Sequence, residues 1–84
     1  MSYRVIVTRS AEKELDRIPD QISVRIEKSL QNLEINPRNL QTKKLKDSNF
    51  YRLRVGDYRV IYLIDDPNQI VRVEHIRHRK EAYR

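Results

Sequence analysis

Apolar positions recur with two different periods along the 84-residue chain, and the switch between them divides it into strand, helix and strand regions. Tyr3, Val5 and Val7 alternate with Arg4, Ile6 and Thr8, the period of a strand with one fully apolar face. The spacing then lengthens. Ala11, Leu15 and Ile18 fall on one side of a short helix, with Thr8 and Ser10 both able to cap it. Glu14 follows Ser10 one residue too late for a capping box and carries little weight there. Pro19 ends this helix, because proline disfavours helical geometry in the residue before it. Asp20 is placed to cap a second helix, where Ile22, Ile26, Leu30 and Leu33 form one stripe, stopped by Asn36-Pro37.

Alternation returns at Tyr51, Leu53 and Val55, with Arg52 and Arg54 between them. Gly56-Asp57 turns the chain into Tyr58–Ile64, and Asp65-Asp66-Pro67-Asn68 turns it again into a last strand from Ile70 to about Ile76. The run Val60–Ile64 is apolar on both faces and belongs in the middle of a sheet. The polar tail Arg77–Arg84 is read as a short terminal helix. The resulting class is α+β, ordered β-α-α-β-β-β: an N-terminal strand, a helical hairpin packed on one face of the sheet, then an antiparallel three-strand meander. Residues 1–84 make a single domain, without repeats, linkers or low-complexity segments.

Composition narrows the chemistry. With no cysteine there are no disulfides, thiolate nucleophiles or zinc-thiolate sites, and His75 and His78 are too few for a metal cage. No metal or other cofactor is expected. No stretch nears the roughly 20 apolar residues of a membrane span, and the apolar start is too short for a signal peptide, so the expected location is cytoplasmic. The net charge of +6 is unevenly placed. Residues 1–36 balance six basic against six acidic side chains, whereas residues 37–59 set seven basic groups against Asp47 and Asp57. Such localisation favours a polyanionic partner.

Within that segment, alternation puts Arg52 and Arg54 on the face away from the helices, and Arg59 on the same side of the next strand. Clustered guanidinium groups repel one another, and a phosphate would resolve the conflict through bidentate hydrogen bonds. The plainer alternative is three arginines covering sheet with their aliphatic stems. In the tail, Tyr83 can stack on a base or move a proton, or can simply pin the chain end to the sheet. His75 shares parity with Val71 and Val73 and reads as structural. His78 lies between Arg77 and Arg79, whose charge favours the neutral imidazole that a general base requires. No paired carboxylates and no glycine-rich phosphate loop are present, so a nuclease built on this chain would work without metal.

Lys44-Leu45-Lys46, Tyr51-Arg52-Leu53-Arg54-Val55-Gly56-Asp57-Tyr58-Arg59-Val60-Ile61-Tyr62 and Ile76-Arg77-His78-Arg79-Lys80-Glu81-Ala82-Tyr83 together resemble the RelE branch of the RelE/ParE toxins, over nearly the whole chain. The resemblance implies a ribosome-dependent endoribonuclease that cuts messenger RNA in the A site by attack of a 2′-hydroxyl on the adjacent phosphate. It implies that Arg59 and Arg79 hold the phosphate and assist the leaving group, and that Tyr83 stacks on or activates the nucleotide. Lys43, Lys44, Lys46, Arg54, Arg77 and Lys80 then form the RNA-binding surround. The sequence departs from the studied RelE toxins at Arg52 and Arg54, where those carry lysines. Arginine is a poor base, so Arg52 is read as stabilising charge and the base as Tyr83 or His78. The implied partners are the ribosome with its mRNA and a cognate antitoxin, through which the complex would bind operator DNA. The competing readings are a ParE-like inhibitor of DNA gyrase that cuts nothing, and a non-toxic nucleic-acid-binding module.

Overall fold

The computed structural model describes residues 2–80 and contains β1 (Arg4–Val7), α1 (Arg9–Asp16), α2 (Asp20–Ile35), β2 (Thr42–Lys44), β3 (Tyr51–Val55), β4 (Tyr58–Asp65) and β5 (Ile70–His78). Thr8 caps α1, its hydroxyl accepting the Ala11 N–H at 3.2 Å. At α2 the cap position is taken by Pro19, and Asp20 is the first helical residue, its charge favourably placed against the helix dipole. The stripe of α2 buries Ile26, Leu30 and Leu33, while α1 contributes Ala11 and the following turn Ile18.

The five strands form one sheet in the order β1-β5-β4-β3-β2, so the doubly apolar β4 is central. Strands β3, β4 and β5 form the antiparallel meander, and β1 joins the far side of β5 in parallel. The fold is thus α+β as expected, with one strand more than the alternation indicated. That strand, β2, pairs antiparallel with β3 through Thr42, Lys43 and Lys44. Its three residues offer no apolar alternation to read. Two lysines on a short edge strand also discourage pairing with a second sheet. The tail differs too: residues 77 and 78 extend β5 and residues 79 and 80 form a turn. The rest of the expected terminal helix lies outside the described residues.

One core unites the helices and the sheet. Leu53, Val55, Val60, Tyr62, Val71, Val73 and Ile76 face Ile26, Leu30 and Leu33, all of them buried. Tyr62 stacks on Tyr51 at 5.7 Å between ring centroids, and its hydroxyl donates to the Pro37 carbonyl at 2.6 Å. Burial pushes the Tyr62 phenol up to about 12. Beside it, Arg38 grips Asp66 with both terminal nitrogens (3.1 and 2.7 Å) and donates from Nε to the Tyr51 hydroxyl. Tyr3 donates to the same carboxylate at 2.7 Å. These bonds hold the carboxyl of Asp66 down at about 2, Arg38 contributing most. The same carboxylate raises the phenol of Tyr3. Arg38 therefore ties the loop after α2 to the β4–β5 turn, and its charge is matched inside the fold.

Candidate nucleic-acid interface

The face of the sheet away from the helices carries several arginines in cross-strand rows. Register puts Arg54 opposite Arg59 and Arg59 opposite Arg77, one row across β3, β4 and β5. The next row runs Lys43, Arg52, Ile61, His75. Paired residues in a sheet point to the same side, so six basic or imidazole side chains share this surface around Ile61. Arg59 is 6% exposed, a low value for a guanidinium, whereas Arg54 is exposed. A buried cation in the middle of a basic row is placed for a ligand with several anionic oxygens, since an arginine fork matches phosphate geometry.

Strand β5 reaches this arrangement through a β-bulge. Ile61 pairs with His75 and Tyr62 with Val73, which leaves Glu74 as an extra residue. The bulge reverses the alternation that holds from Ile70 to Val73. His75, assigned to the core side by its parity with Val71 and Val73, instead joins Arg52 and Ile61 on the open face. His78 moves the opposite way. It pairs with Tyr58 on the helix-facing side, its ring edge-on to that tyrosine at 5.3 Å, and its Nδ1 accepts the Lys80 N–H at 3.3 Å. It is therefore across the sheet from Arg59.

The other expected residues divide likewise. Arg77 stands in the row with Arg59, while Arg79 sits in the turn after β5, its backbone N–H donating to the Asp57 carbonyl at 2.7 Å. Lys43 shares the arginine face. Lys44 pairs with Tyr51 on the other side, Lys46 is exposed in the β2–β3 loop, and Lys80 is exposed in the final turn. Tyr83 lies outside the described residues. Glu14 of α1, noted above only as a poor fit to a capping box, is a further participant. Its Oε1 accepts the Ile76 N–H at 3.2 Å and its Oε2 accepts from Arg77 Nε at 3.3 Å. Strand β1 stops at Val7 opposite Val73, so β5 runs on without a partner strand there. Thr8 N–H meets the Val73 carbonyl, and the carboxylate of Glu14 occupies the next stretch of edge.

Among the described residues no cluster of three or more histidine, aspartate or glutamate side chains could hold a metal ion, and no helix is long and apolar enough to cross a membrane. A concavity of about 1000 Å³ lies at the other end of the open face, with Ile6, Leu63, Ile70 and Arg72 among its lining. It is shallow and away from the Arg54–Arg59–Arg77 row.

A two-helix layer on a five-stranded sheet with a basic open face defines a class of small toxins, and the chain belongs to it: the family model for the ParE toxin of type II toxin–antitoxin systems matches residues 5–83. Its relatives carry the RelE name. The chain is 36% identical to Toxin RelE of Mycobacterium tuberculosis, over 98% of its own length and 87% of that protein's. It is 31% identical to Toxin RelE3 of Methanocaldococcus jannaschii, over 95% and 94%. Among solved structures, the toxin–antitoxin complex RelBE2 of Mycobacterium tuberculosis superposes with a TM-score of 0.85 at 26% identity, covering 93% of this chain and 99% of that one. The RelE–RelB complex of Pyrococcus horikoshii gives 0.82 at 28%, covering 94% and 97%.

Proposed function

We propose that this toxin is a ribosome-dependent endoribonuclease, and that the Arg54–Arg59–Arg77 row is where the scissile phosphate binds. The observation that carries this reading is the nearly buried Arg59 at the centre of a three-arginine row, in a chain whose relatives are RelE toxins. The reaction makes a bond from the 2′-oxygen to phosphorus and breaks the bond from phosphorus to the 5′-oxygen. The 2′-hydroxyl gives up a proton, the leaving oxygen gains one, and a 2′,3′-cyclic phosphate remains. Negative charge gathers on the phosphate oxygens in the transition state, where fixed guanidinium groups stabilise it. Arg52 adds charge from the neighbouring row. Arg79 is assigned to the leaving group and Tyr83 to the proton of the 2′-hydroxyl; His78, across the sheet, has no role in this scheme. Lys43, Lys46 and Lys80 contact flanking phosphates. The ribosome supplies the in-line geometry. A cognate antitoxin, as in the RelE–RelB complexes, neutralises the cationic face, and DNA binding by that complex resides in the antitoxin.

Primer extension on a messenger in a translation extract tests this. Wild type yields cuts at codon-spaced positions, and Arg59→Ala slows them about 10²–10³-fold, the usual effect of removing one transition-state donor. Cutting unaffected by Arg59→Ala rejects the assignment. The match to the ParE family model favours one second reading, a DNA gyrase inhibitor without nuclease activity. Supercoiling blocked in a purified gyrase assay, with messenger left intact, decides for it.

A further inference from the structure

The link between Glu14 and Arg77 joins a helix on one face of the sheet to an arginine of the opposite face. Glu14 is only partly exposed, its side chain at 26%, and both of its oxygens are engaged by β5. Arg77 donates from Nε to this carboxylate, and its Nη2 lies 3.3 Å from His75 Nδ1. With His75 Nδ1 accepting from Nη2, that nitrogen carries no proton for Glu14, so its 3.5 Å approach to Glu14 Oε1 is proximity rather than a hydrogen bond. A guanidinium has five N–H donors in one plane. Holding it at Nε and Nη2 fixes that plane, and Nη1 is left uncommitted among the described residues.

Resting on the phosphate-binding role given above to the arginine row, we infer that Glu14 is a positioning residue for Arg77. Unrestrained, an arginine side chain samples many rotamers, and the repulsion of Arg59 in the same row drives Arg77 away from it. Glu14 counters both effects. Its carboxylate is itself pinned by the Ile76 N–H, so the position of Arg77 is set by backbone rather than by another mobile side chain. The role makes a prediction with an unusual sign. Deleting an acidic group near a polyanion ordinarily tightens binding, because net positive charge rises. Loss of a positioning carboxylate weakens it instead.

The probe is a short single-stranded RNA with 2′-O-methyl riboses, which cannot be cut, titrated by fluorescence anisotropy into the full chain at about 50 mM salt, where phosphate contacts dominate affinity. Glu14→Ala and Arg77→Ala each weaken binding about tenfold, the equivalent of one charge-assisted hydrogen bond. In the double variant, Glu14→Ala adds less than about twofold, because residues acting through one contact are not additive. Glu14→Gln, which keeps one acceptor, holds affinity within about threefold of wild type. Circular dichroism establishes that each variant is folded; should Glu14→Ala fail to fold, the cycle is run with Glu14→Gln, whose small loss then vanishes on the Arg77→Ala background. Tighter or unchanged binding by Glu14→Ala, multiplying losses in the double variant, or a wild type that does not bind the probe overturns the inference. Absence of ribosome-dependent cuts by wild type overturns the nuclease reading alone, since the cycle reads binding.

Discussion

Replacing Tyr62 with phenylalanine removes one oxygen from the centre of the sheet and leaves the ring stack with Tyr51 intact. The hydroxyl donates at 2.6 Å to the carbonyl of Pro37, a buried residue of the loop that leads into Arg38. Losing the donor strands that carbonyl away from water, at a cost of about 1–2 kcal/mol. For an 84-residue domain, 1 kcal/mol moves Tm by about 4–8 °C, so at pH 8 the variant melts about 4–16 °C below wild type. Alkaline pH narrows the difference. Burial raises the Tyr62 phenol from its ordinary 10 to about 12, so between those values the unfolded chain has lost a proton that the folded chain keeps. Stability from this group is complete below pH 10 and falls as pH climbs toward 12. At pH 11 the loss amounts to about 1.4 kcal/mol, and Tyr62→Phe, with nothing to titrate, does not suffer it. Urea unfolding followed by circular dichroism at pH 8 and pH 11 reads both numbers. The gap between the two proteins closes by about the cost of the lost hydrogen bond. A gap of constant size at both pH values refutes the reasoning, because the raised phenol would then contribute nothing to the folded state.

Three further outcomes follow from the geometry. Acid weakens the fold as pH falls from about 4 through about 2, the range over which the carboxyl of Asp66 stays ionised only in the folded chain. Asp66→Asn flattens that part of the curve in urea titrations across pH. Gly56 sits at φ 58°, and a Cβ there meets nothing nearer than Arg25 Nη1 at 3.6 Å. Gly56→Ala thus costs only backbone strain, about 1–2 kcal/mol in the free energy of denaturant unfolding, rather than a clash. His78→Phe keeps an aromatic edge on Tyr58 and leaves cleavage in the primer-extension assay within about threefold of wild type; a loss of tenfold or more would return this histidine to the reaction.

Which parts of this molecule can be read from its sequence follows from where local pattern and tertiary context agree. The stripe through Ile26, Leu30 and Leu33 and the doubly apolar run of β4 are dictated by burial, and burial imposes its period directly on the residues. The placement of Arg54 and Arg59 is legible for the same reason, since Gly56-Asp57 closes a short turn and fixes their register. Strand β2 leaves no such mark, being held by backbone bonds at a charged edge. Arg38 looks like one more cation in a basic segment until the fold brings Asp66 to it from 28 residues away. Glu14 meets Arg77 across 63 residues, a pairing no local pattern encodes. His75 escapes the pattern for a different reason: parity along β5 holds only until the bulge.

That bulge bears on how β5 responds to a change of length. With Glu74 taken out, Val73 would be followed directly by His75, and simple alternation would then keep Val73 and Ile76 inward and His75 and Arg77 outward. The extra residue is absorbed where it stands, so a one-residue deletion at this point rotates nothing downstream. Two homologous chains can therefore differ by a gap at position 74 and still present the same row of arginines. An ungapped comparison would shift every role beyond it by one residue, onto the opposite surface of the sheet.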